Sequence, residues 1–390
     1  MFKRKLILAL IAAILTSSFT GCNSEAEKRQ AAKLRWQRQS ATAKIPVAED
    51  LLQNDQVDDA LNVINECLAA LDDNARAHLV KGKILYMKGK IAQADDSLNL
   101  AVKYDPELDE AWFWLGMLQQ KTRDLKLSMK SYNKAMELEP SKAEYIVAVS
   151  DIYALQGDYE AAIKLLKYKS DLMQFNNDLK TALADLHLRR GNIDQAIEIY
   201  NRVLSRNPDD SDVIAAVGYC YVIDQQWAKA SEVFEKLLDK TEGEKKQTYL
   251  EMLAAININN DEYGKAVKFY DSLVLSNRDN ADAWLKMGHA ALGANAPKRA
   301  MACAKRALNL RSCWADAIAL KGCAQYLSED YTQSLSSFER IRGNKDLSCF
   351  AWLMTGRCLR KIGEHEMASA AFKKAAKLDP GNELVAYLNK

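Results

Sequence analysis

A 34-residue internal period constrains the fold of this chain more than any other feature of its sequence. Pro106 and Pro140 are 34 residues apart, Pro208 lies two periods beyond Pro140, and Pro380 falls in the same phase after a two-residue insertion. Placing these prolines at position 32 gives ten units over residues 41–382, starting at residues 41, 75, 109, 143, 177, 211, 247, 281, 315 and 349. Such a period is typical of stacked supersecondary units, each packed on its neighbours.

Two positions of the unit hold only small side chains, although neither was used to set the phase. Position 8 is Ala48, Gly82, Gly116, Ser150, Ala184, Gly218, Ala254, Gly288, Gly322 and Gly356. Position 20 is Ala60, Ala94, Ser128, Ala162, Ala196, Ala230, Ala266, Ala300, Ser334 and Ala368. Because a bulky side chain would separate two closely crossing helices, the pattern predicts a pair of antiparallel helices in each unit. Position 24 is large in every unit except at Ala304, and we expect it to fill the space between the helices.

Further positions of the unit carry a family pattern. Position 4 is Trp112, Trp284 and Trp352, position 11 is Tyr153 and Tyr221, position 27 is often Ala, and position 15 is Gly89, Gly157, Gly191 and Gly363. A glycine there can end the first helix and turn the chain. With Gly at position 8, Ala at 20, an aromatic at 24 and Pro at 32, the unit resembles the tetratricopeptide repeat. The resemblance implies an all-α, right-handed superhelical solenoid of about ten helix-turn-helix repeats.

The resemblance also implies where a partner binds. The first helices would line a concave trough through positions 2, 5, 9, 12 and 13, which share one helical face. The candidate partner-binding residues are Tyr86, Phe113, Met117, Asp151, Asp185, Tyr219, His289, Tyr326 and Arg357. Aromatic and apolar side chains mixed with isolated charges suit an extended peptide or a partner helix. We expect truncation of an aromatic member, such as Phe113, to weaken binding and to leave folding nearly untouched.

Charge and cysteine content argue against several other functions. The 54 basic and 52 acidic residues give +2, and removal of Lys3, Arg4 and Lys5 leaves 51 against 52, or −1, which gives nucleic-acid binding no electrostatic support. Four histidines and no Cys-x-x-Cys pair predict neither a metal nor a cofactor. Whether disulfides form among Cys303, Cys313, Cys323, Cys349 and Cys358 stays open, and we expect mostly buried free thiols.

The first 21 residues have the layout of a secretory signal. A basic start precedes an apolar run of about ten residues, too short for a stable membrane span of ~20 residues. Residues 19–22, Phe-Thr-Gly-Cys, resemble a bacterial lipobox, which implies lipidation of Cys22, and Asn23 is similar to the residue found in lipoproteins of the Gram-negative outer membrane. The sequence therefore predicts an outer-membrane lipoprotein facing the periplasm. The alternatives are an unlipidated cleaved signal and a retained helix on a cytoplasmic adaptor.

Three shorter segments lie outside the regular units. Residues 22–40 are polar and basic around Trp36, and predict a lipidated, helix-prone tether, with contact to anionic headgroups as the alternative. Residues 383–390 would begin a short C-terminal cap, and the charged insertion at residues 240–245 predicts a solvated loop. In the first unit, Pro46 predicts that the helix begins or kinks near that residue.

Fold and anchor together suggest a class of function. The chain looks like the tetratricopeptide lipoproteins that support pilus assembly, secretion or exopolysaccharide export, which implies a non-enzymatic docking scaffold. The alternative is a glycan-binding or enzyme-associated subunit of a cell-wall or polysaccharide synthesis complex. That alternative requires convergent carboxylates beside aromatic platforms in the trough, and the sequence shows scattered aromatic residues without paired acids.

Overall fold

A computed structural model describes residue 25 and residues 27–381 of the chain. Within these residues every regular element is a helix and none is a strand, which confirms the all-α prediction. The predicted signal peptide with Cys22 and the predicted cap at residues 383–390 lie outside the described residues.

The chain divides into two compact units, residues 1–191 and 192–390, and the division falls between the two helices of the fifth repeat. In the N-terminal unit, residues 27–42 are helical and a turn at Ala43 follows. The next nine helices are α1 (Lys44–Gln53), α2 (Val57–Ala70), α3 (Ala75–Met87), α4 (Ile91–Tyr104), α5 (Asp109–Lys121), α6 (Leu125–Leu138), α7 (Ala143–Leu155), α8 (Tyr159–Leu172) and α9 (Asn177–Arg189).

The C-terminal unit continues the same alternation of first and second helices. Its helices are α10 (Ile193–Leu204), α11 (Ser211–Ile223), α12 (Trp227–Leu238), α13 (Gly243–Asn259), α14 (Tyr263–Ser276), α15 (Ala281–Gly293), α16 (Pro297–Leu310), α17 (Ala315–Leu327), α18 (Tyr331–Glu339), α19 (Ser348–Ile362) and α20 (His365–Leu378). Each first helix of this unit packs against the second helix of its own repeat and against the second helix of the preceding repeat.

Most first helices begin where the sequence phase starts a repeat. The helices α3, α5, α7, α9, α11, α15 and α17 start at the first residue of their repeats. Helix α1 starts at Lys44, so Pro46 occupies its first turn, where a proline breaks no helical hydrogen bond. The loop predicted for residues 240–245 is wrong from Gly243 onward, because these residues instead extend α13 at its N-terminus to 17 residues.

The glycines at position 8 lie directly against the large side chain at position 24. A Cβ atom on Gly116 would stand 2.6 Å from the ring of Tyr132, and one on Gly218 would stand 2.8 Å from the ring of Phe234. Since no ordinary Cβ contact is this short, the glycine makes room for the ring. The packing therefore couples positions 8 and 24 in each of these repeats.

The two serines at position 20 are not only small but also form hydrogen bonds between the two helices of their repeat. Ser128 donates a hydrogen bond of 2.8 Å to the carbonyl oxygen of Gly116, and Ser334 donates one of 2.8 Å to that of Gly322. Both hydroxyl groups are buried, and a buried polar group must be paired to avoid a desolvation cost. The backbone at position 8 provides that partner across the helix pair.

The turn between the two helices has the same backbone in all ten repeats. Position 15 adopts a positive φ in every one, and the four glycines predicted to turn the chain there are confirmed. The values are Asp55 60°, Gly89 70°, Arg123 65°, Gly157 85°, Gly191 86°, Gln225 58°, Asp261 57°, Asn295 53°, Glu329 62° and Gly363 96°. Six repeats thus hold a side chain in the left-handed region, which glycine adopts more easily.

A polar contact joins the third repeat to the fourth in the N-terminal unit. The carboxylate of Asp109, at the start of α5, accepts hydrogen bonds of 2.5 Å from Lys142 Nζ and from the Tyr145 hydroxyl. Burial alone would raise the pKa of Asp109, but these two hydrogen bonds and the Lys142 charge outweigh it and lower that pKa. The contact therefore favours the ionised carboxylate and holds the start of α7 against that of α5.

Candidate functional site

The predicted partner-binding residues all lie on first helices. In the N-terminal unit they are Tyr86 on α3, Phe113 and Met117 on α5, Asp151 on α7 and Asp185 on α9. In the C-terminal unit they are Tyr219 on α11, His289 on α15, Tyr326 on α17 and Arg357 on α19. Their surroundings differ, so they do not form one uniform surface.

Tyr86 belongs to a cluster of aromatic and cationic side chains between α3 and α5. Its ring meets that of Trp114 edge to face, with 5.7 Å between the ring centroids. The Nζ atom of Lys121 lies 4.4 Å above the Tyr86 ring, and that of Lys83 lies 5.5 Å above the Trp114 ring. Lys83 also forms an ion pair with Glu110. We call Lys83, Tyr86, Trp114 and Lys121 the α3–α5 cluster, and its exposed edge offers apolar area beside positive charge.

Phe113 and Met117 take part in the core. The ring of Phe113 lies 4.9 Å from that of buried Tyr145 and 5.5 Å from that of buried Tyr132, and Met117 packs in the same apolar cluster. The expectation that truncating Phe113 leaves folding untouched is therefore wrong. Phe113, at position 5 of the third repeat, is half-buried and contacts the fourth repeat as well as solvent.

The two acidic candidates have partners of their own. Asp151 on α7 forms an ion pair of 3.1 Å with Arg189 on α9, which spans the fourth and fifth repeats. Asp185 is half-buried and also interacts with neighbouring groups. The charge of Asp151 is therefore partly compensated by Arg189, so its attraction for a basic group on a partner is weaker.

In the C-terminal unit, two tyrosines lie beneath two cations. The guanidinium of Arg357 lies 5.0 Å from the ring centre of Tyr326, and the Nζ atom of Lys361 lies 6.0 Å from that of Tyr331. The two rings meet edge to face at 5.4 Å. Tyr326, Tyr331, Arg357 and Lys361, the α17–α19 cluster, thus repeat the chemistry of the α3–α5 cluster.

Tyr219 and His289 present more open surface. The side chain of Tyr219 is 39% exposed and rests its edge on the ring of Phe234, with centroids 5.4 Å apart. His289 is exposed on α15. Although part of its ring reaches solvent, desolvation by the surrounding protein lowers the pKa of His289, and the Asp316 carboxylate partly offsets this effect. The imidazole is therefore neutral near pH 7.

Exposed aliphatic side chains recur at position 13, a feature that the candidate residues chosen from the sequence do not include. At the C-terminal ends of first helices, Met87 is 52% exposed, Leu155 57%, Ile223 56% and Leu327 47%. The sequence pattern placed position 13 in the trough, and the recurrence of aliphatic residues there was a signal that could have identified them. Large aliphatic side chains left half in water favour contact with a partner.

The described residues hold no group of three or more His, Cys, Asp or Glu side chains arranged to bind a metal ion. None of the seven cysteines in the described part of the chain forms a disulfide, and Cys67, Cys220, Cys303 and Cys358 are buried. Burial raises the pKa of Cys303 to about 11, which keeps that thiol protonated and unreactive. In the described part of the chain, no helix combines the length and apolarity that a membrane crossing requires.

Family models of the tetratricopeptide repeat match residues 48–106, 109–142, 153–220 and 351–382. The chain is 26% identical over 194 residues to tetratricopeptide repeat-containing protein trd-1 of Caenorhabditis elegans, covering 48% of this chain and 25% of that protein. It is 26% identical over 214 residues to a TPR repeat-containing protein of Methanocaldococcus jannaschii, covering 50% of this chain and 37% of that protein. The chain thus spans well under two thirds of these relatives. The matches confirm that it contains tetratricopeptide repeats.

Two solved structures of TPR proteins align with this chain, with low TM-scores. A thermophilic TPR protein of Thermus thermophilus aligns with a TM-score of 0.40 and 19% identity, covering 47% of this chain and 99% of that one. The TPR domain of P58(IPK) aligns with a TM-score of 0.29 and 16% identity, covering 83% of this chain and 99% of that domain.

Proposed function

We propose that this chain is a lipid-anchored scaffold of the bacterial envelope, which binds a protein or peptide along its first helices and performs no catalysis. Tetratricopeptide repeats generally mediate protein–protein interactions, and this supports the docking role. The lipobox-like residues 19–22 support the anchor at Cys22 and an outer-membrane location facing the periplasm. The assembly served would be a pilus, a secretion system or a polysaccharide exporter.

The observation that carries the docking role is the exposed apolar surface of the first helices. Met87 and Leu155 in the N-terminal unit, and Ile223 and Leu327 in the C-terminal unit, are each about half exposed. Burying the remaining half of such a side chain stabilises a complex by roughly 1 kcal/mol, about half of the ~1.5 to 3 kcal/mol that full burial gives. In each unit one of these residues directly follows an aromatic ring that lies beneath a cation, Tyr86 or Tyr326.

This combination defines the partner that we expect. Aliphatic contacts favour apolar anchors on the partner, whereas Lys121 in one unit and Arg357 in the other favour acidic groups beside those anchors. An extended segment or an amphipathic helix with both features fits the face. A glycan is the alternative ligand, and it would contact the aromatic rings more than the aliphatic side chains.

Truncation at matched positions tests the docking face. Leu155→Ala and Ile223→Ala should reduce capture of the partner from native envelopes by about tenfold each, if these side chains are central contacts. The controls are Leu172→Ala and Leu275→Ala, which remove equally exposed leucines from second helices (63% and 67% exposed). Folding is checked for all four by circular dichroism and thermal denaturation.

Loss of the partner in a second-helix variant alone would place the binding site on the second helices. A pocket of about 350 Å³ in the N-terminal unit is lined by residues of the second helices α6 and α8 and of α7, among them Met136, Tyr153, Lys164 and Tyr168. If Leu172→Ala loses the partner while Leu155→Ala and Ile223→Ala keep it, docking occurs on the second helices and the proposed face is wrong.

The anchor is tested separately. Cys22→Ser should release the protein from membranes or leave an unprocessed precursor, and mass spectrometry of the wild-type N-terminus should show an acylated cysteine. A Cys22→Ser protein that is still processed and acylated would contradict the anchor and leave the docking role unaffected.

A further inference from the structure

The N-terminal helical segment, residues 27–42, has almost no contact with the repeats that follow it. Every described side chain from residue 27 to residue 40 is exposed, and Ala41 is the first to be buried. Only a turn at Ala43 separates the segment from α1, where Ile45 is also buried. The segment is thus held to the fold at its C-terminal end and extends from it as a helix.

The segment is strongly basic, and most of its cations have no carboxylate partner within the described part of the chain. Between residues 27 and 42 there are five basic residues, Lys28, Arg29, Lys33, Arg35 and Arg38, and the single acid Glu27. Arg38 forms an ion pair of 3.2 Å with Asp73 at the turn after α2, and Arg29 stands 3.9 Å from Glu25. Among the described residues, no carboxylate lies within 4.0 Å of Lys28, Lys33 or Arg35. The fold therefore does not neutralise this charge.

Helical geometry assigns these side chains to different faces. At 100° per residue, Arg38 and Leu34 share the side of buried Ala41, which agrees with the Arg38–Asp73 ion pair. Lys28, Arg29, Ala32 and Trp36 lie together on the opposite side. Trp36 is 68% exposed there, although no described contact of the fold requires a tryptophan at that place.

We propose that this outer side of the segment lies on an anionic phospholipid surface. Tryptophan is favoured at the boundary between headgroups and acyl chains, where its apolar ring and its N–H group are both satisfied. Each Lys or Arg near an anionic surface adds attraction, and flanking cations around one aromatic anchor suit binding in the plane of the interface. The ion pair and the buried Ala41 would then set the orientation of the first repeats relative to that surface.

The inference rests on the proposed membrane location, but its test does not require the acyl group on Cys22. The mature chain from residue 22, carrying Cys22→Ser, is mixed with vesicles of phosphatidylcholine alone or with 30% phosphatidylglycerol, a probe composition chosen as about one anionic lipid in three. Flotation should show binding to the anionic vesicles only. Raising the salt to about 1 M, where the Debye length falls to about 3 Å, should abolish it.

Matched variants assign the binding to this helix. Lys28→Gln/Arg29→Gln should lower the vesicle partition coefficient about 25-fold, at about fivefold for each cation removed. Lys298→Gln/Lys305→Gln removes the same charge from exposed positions of α16 and should change it less than twofold. Trp36→Ala should also weaken binding, and helicity is checked in all variants.

Three outcomes would overturn the proposal. These are equal binding to neutral and anionic vesicles, no binding to anionic vesicles at low salt, and an equal loss with the α16 control. None of them depends on acylation of Cys22. A failed anchor and a failed surface contact therefore give different results in the two experiments.

Discussion

The sixth and eighth repeats fill the same space with different side chains. In the sixth, Gly218 on α11 faces the ring of Phe234 on α12, which is its own second helix. In the eighth, position 24 is Ala304, and the atom nearest to Gly288 belongs to Leu320 on α17, the first helix of the next repeat. Both fillers are fully buried, so neither repeat is left with a void there.

The difference shows that the stability of a repeat can depend on its own side chains or on those of the next repeat. At this crossing the sixth repeat is filled by a side chain of its own second helix, whereas the eighth repeat depends on a side chain that the next repeat contributes. A truncation in the sixth repeat should first weaken that repeat, and loss of Leu320 should weaken two repeats together. Nearest-neighbour contacts of this kind make solenoid repeats cooperative.

The largest expected effect comes from truncating the side chain that fills the crossing in each of the two repeats. Phe234→Ala should lower the free energy of unfolding by about 3 to 5 kcal/mol, and Leu320→Ala by about 2 to 5 kcal/mol, because each leaves a cavity in a close-packed interior. Urea denaturation measures both. Hydrogen exchange should show faster exchange in α11 and α12 for the first variant, and in α15, α16 and α17 for the second.

An exchange of fillers sharpens the same comparison. Ala304→Phe alone should overpack the eighth repeat against Leu320 and cost about 1 to 3 kcal/mol. Combined with Leu320→Ala, it should cost at least about 0.5 kcal/mol less than the sum of the two single changes. Strict additivity would show that positions 304 and 320 do not share one space.

A smaller effect is expected from overpacking the sixth repeat. Gly218→Leu places a branched side chain where even a Cβ atom would stand 2.8 Å from Phe234, and we expect a loss of about 1 to 3 kcal/mol. The melting transition should fall or split, since one repeat is weakened within a chain of coupled repeats. An unchanged transition would contradict the assignment of Gly218 to the helix crossing.

The smallest effect is expected at position 15, where all repeats share one backbone conformation. Gly157→Ala should cost about 1 kcal/mol because φ is 85° there. Gln225→Gly, at φ 58°, should change stability by less than about 0.5 kcal/mol, since the relief of strain is offset by the greater freedom of glycine in the unfolded chain. A large gain from Gln225→Gly would show that the turn stores more strain than its dihedral angle indicates.

Local periodicity was enough to predict the helical pairs. Pro106 and Pro140 set a phase that placed the starts of α3, α5 and α7 at their first residues. The loop prediction for the insertion before α13 is wrong because its charged residues resemble a solvated loop, whereas Tyr249 near the start of α13 packs against Phe234 and Leu237 of the previous repeat and favours a helix there. Charge alone does not distinguish a solvated loop from the exposed end of a helix.

The candidate site was less predictable than the fold. Tyr86 was identified from its position in the repeat, but its contact with Trp114 depends on how two consecutive first helices stack. Phe113 was identified on the same grounds and proved to pack on Tyr145 of the next repeat. Repeat position defines the face of a helix, and the side chains of the adjacent repeat decide how much of that face stays open.

The sequence by itself determined the helix pairs, the turn at position 15 and the small residues at each crossing, because these follow from contacts within 34 residues. The tertiary structure decided which neighbour fills each crossing, as with Leu320 beside Gly288, and which first-helix residues stay exposed, as with Leu155 and Ile223. These features depend on side chains that meet across repeats. Their distances are set by stacking, which no single repeat contains.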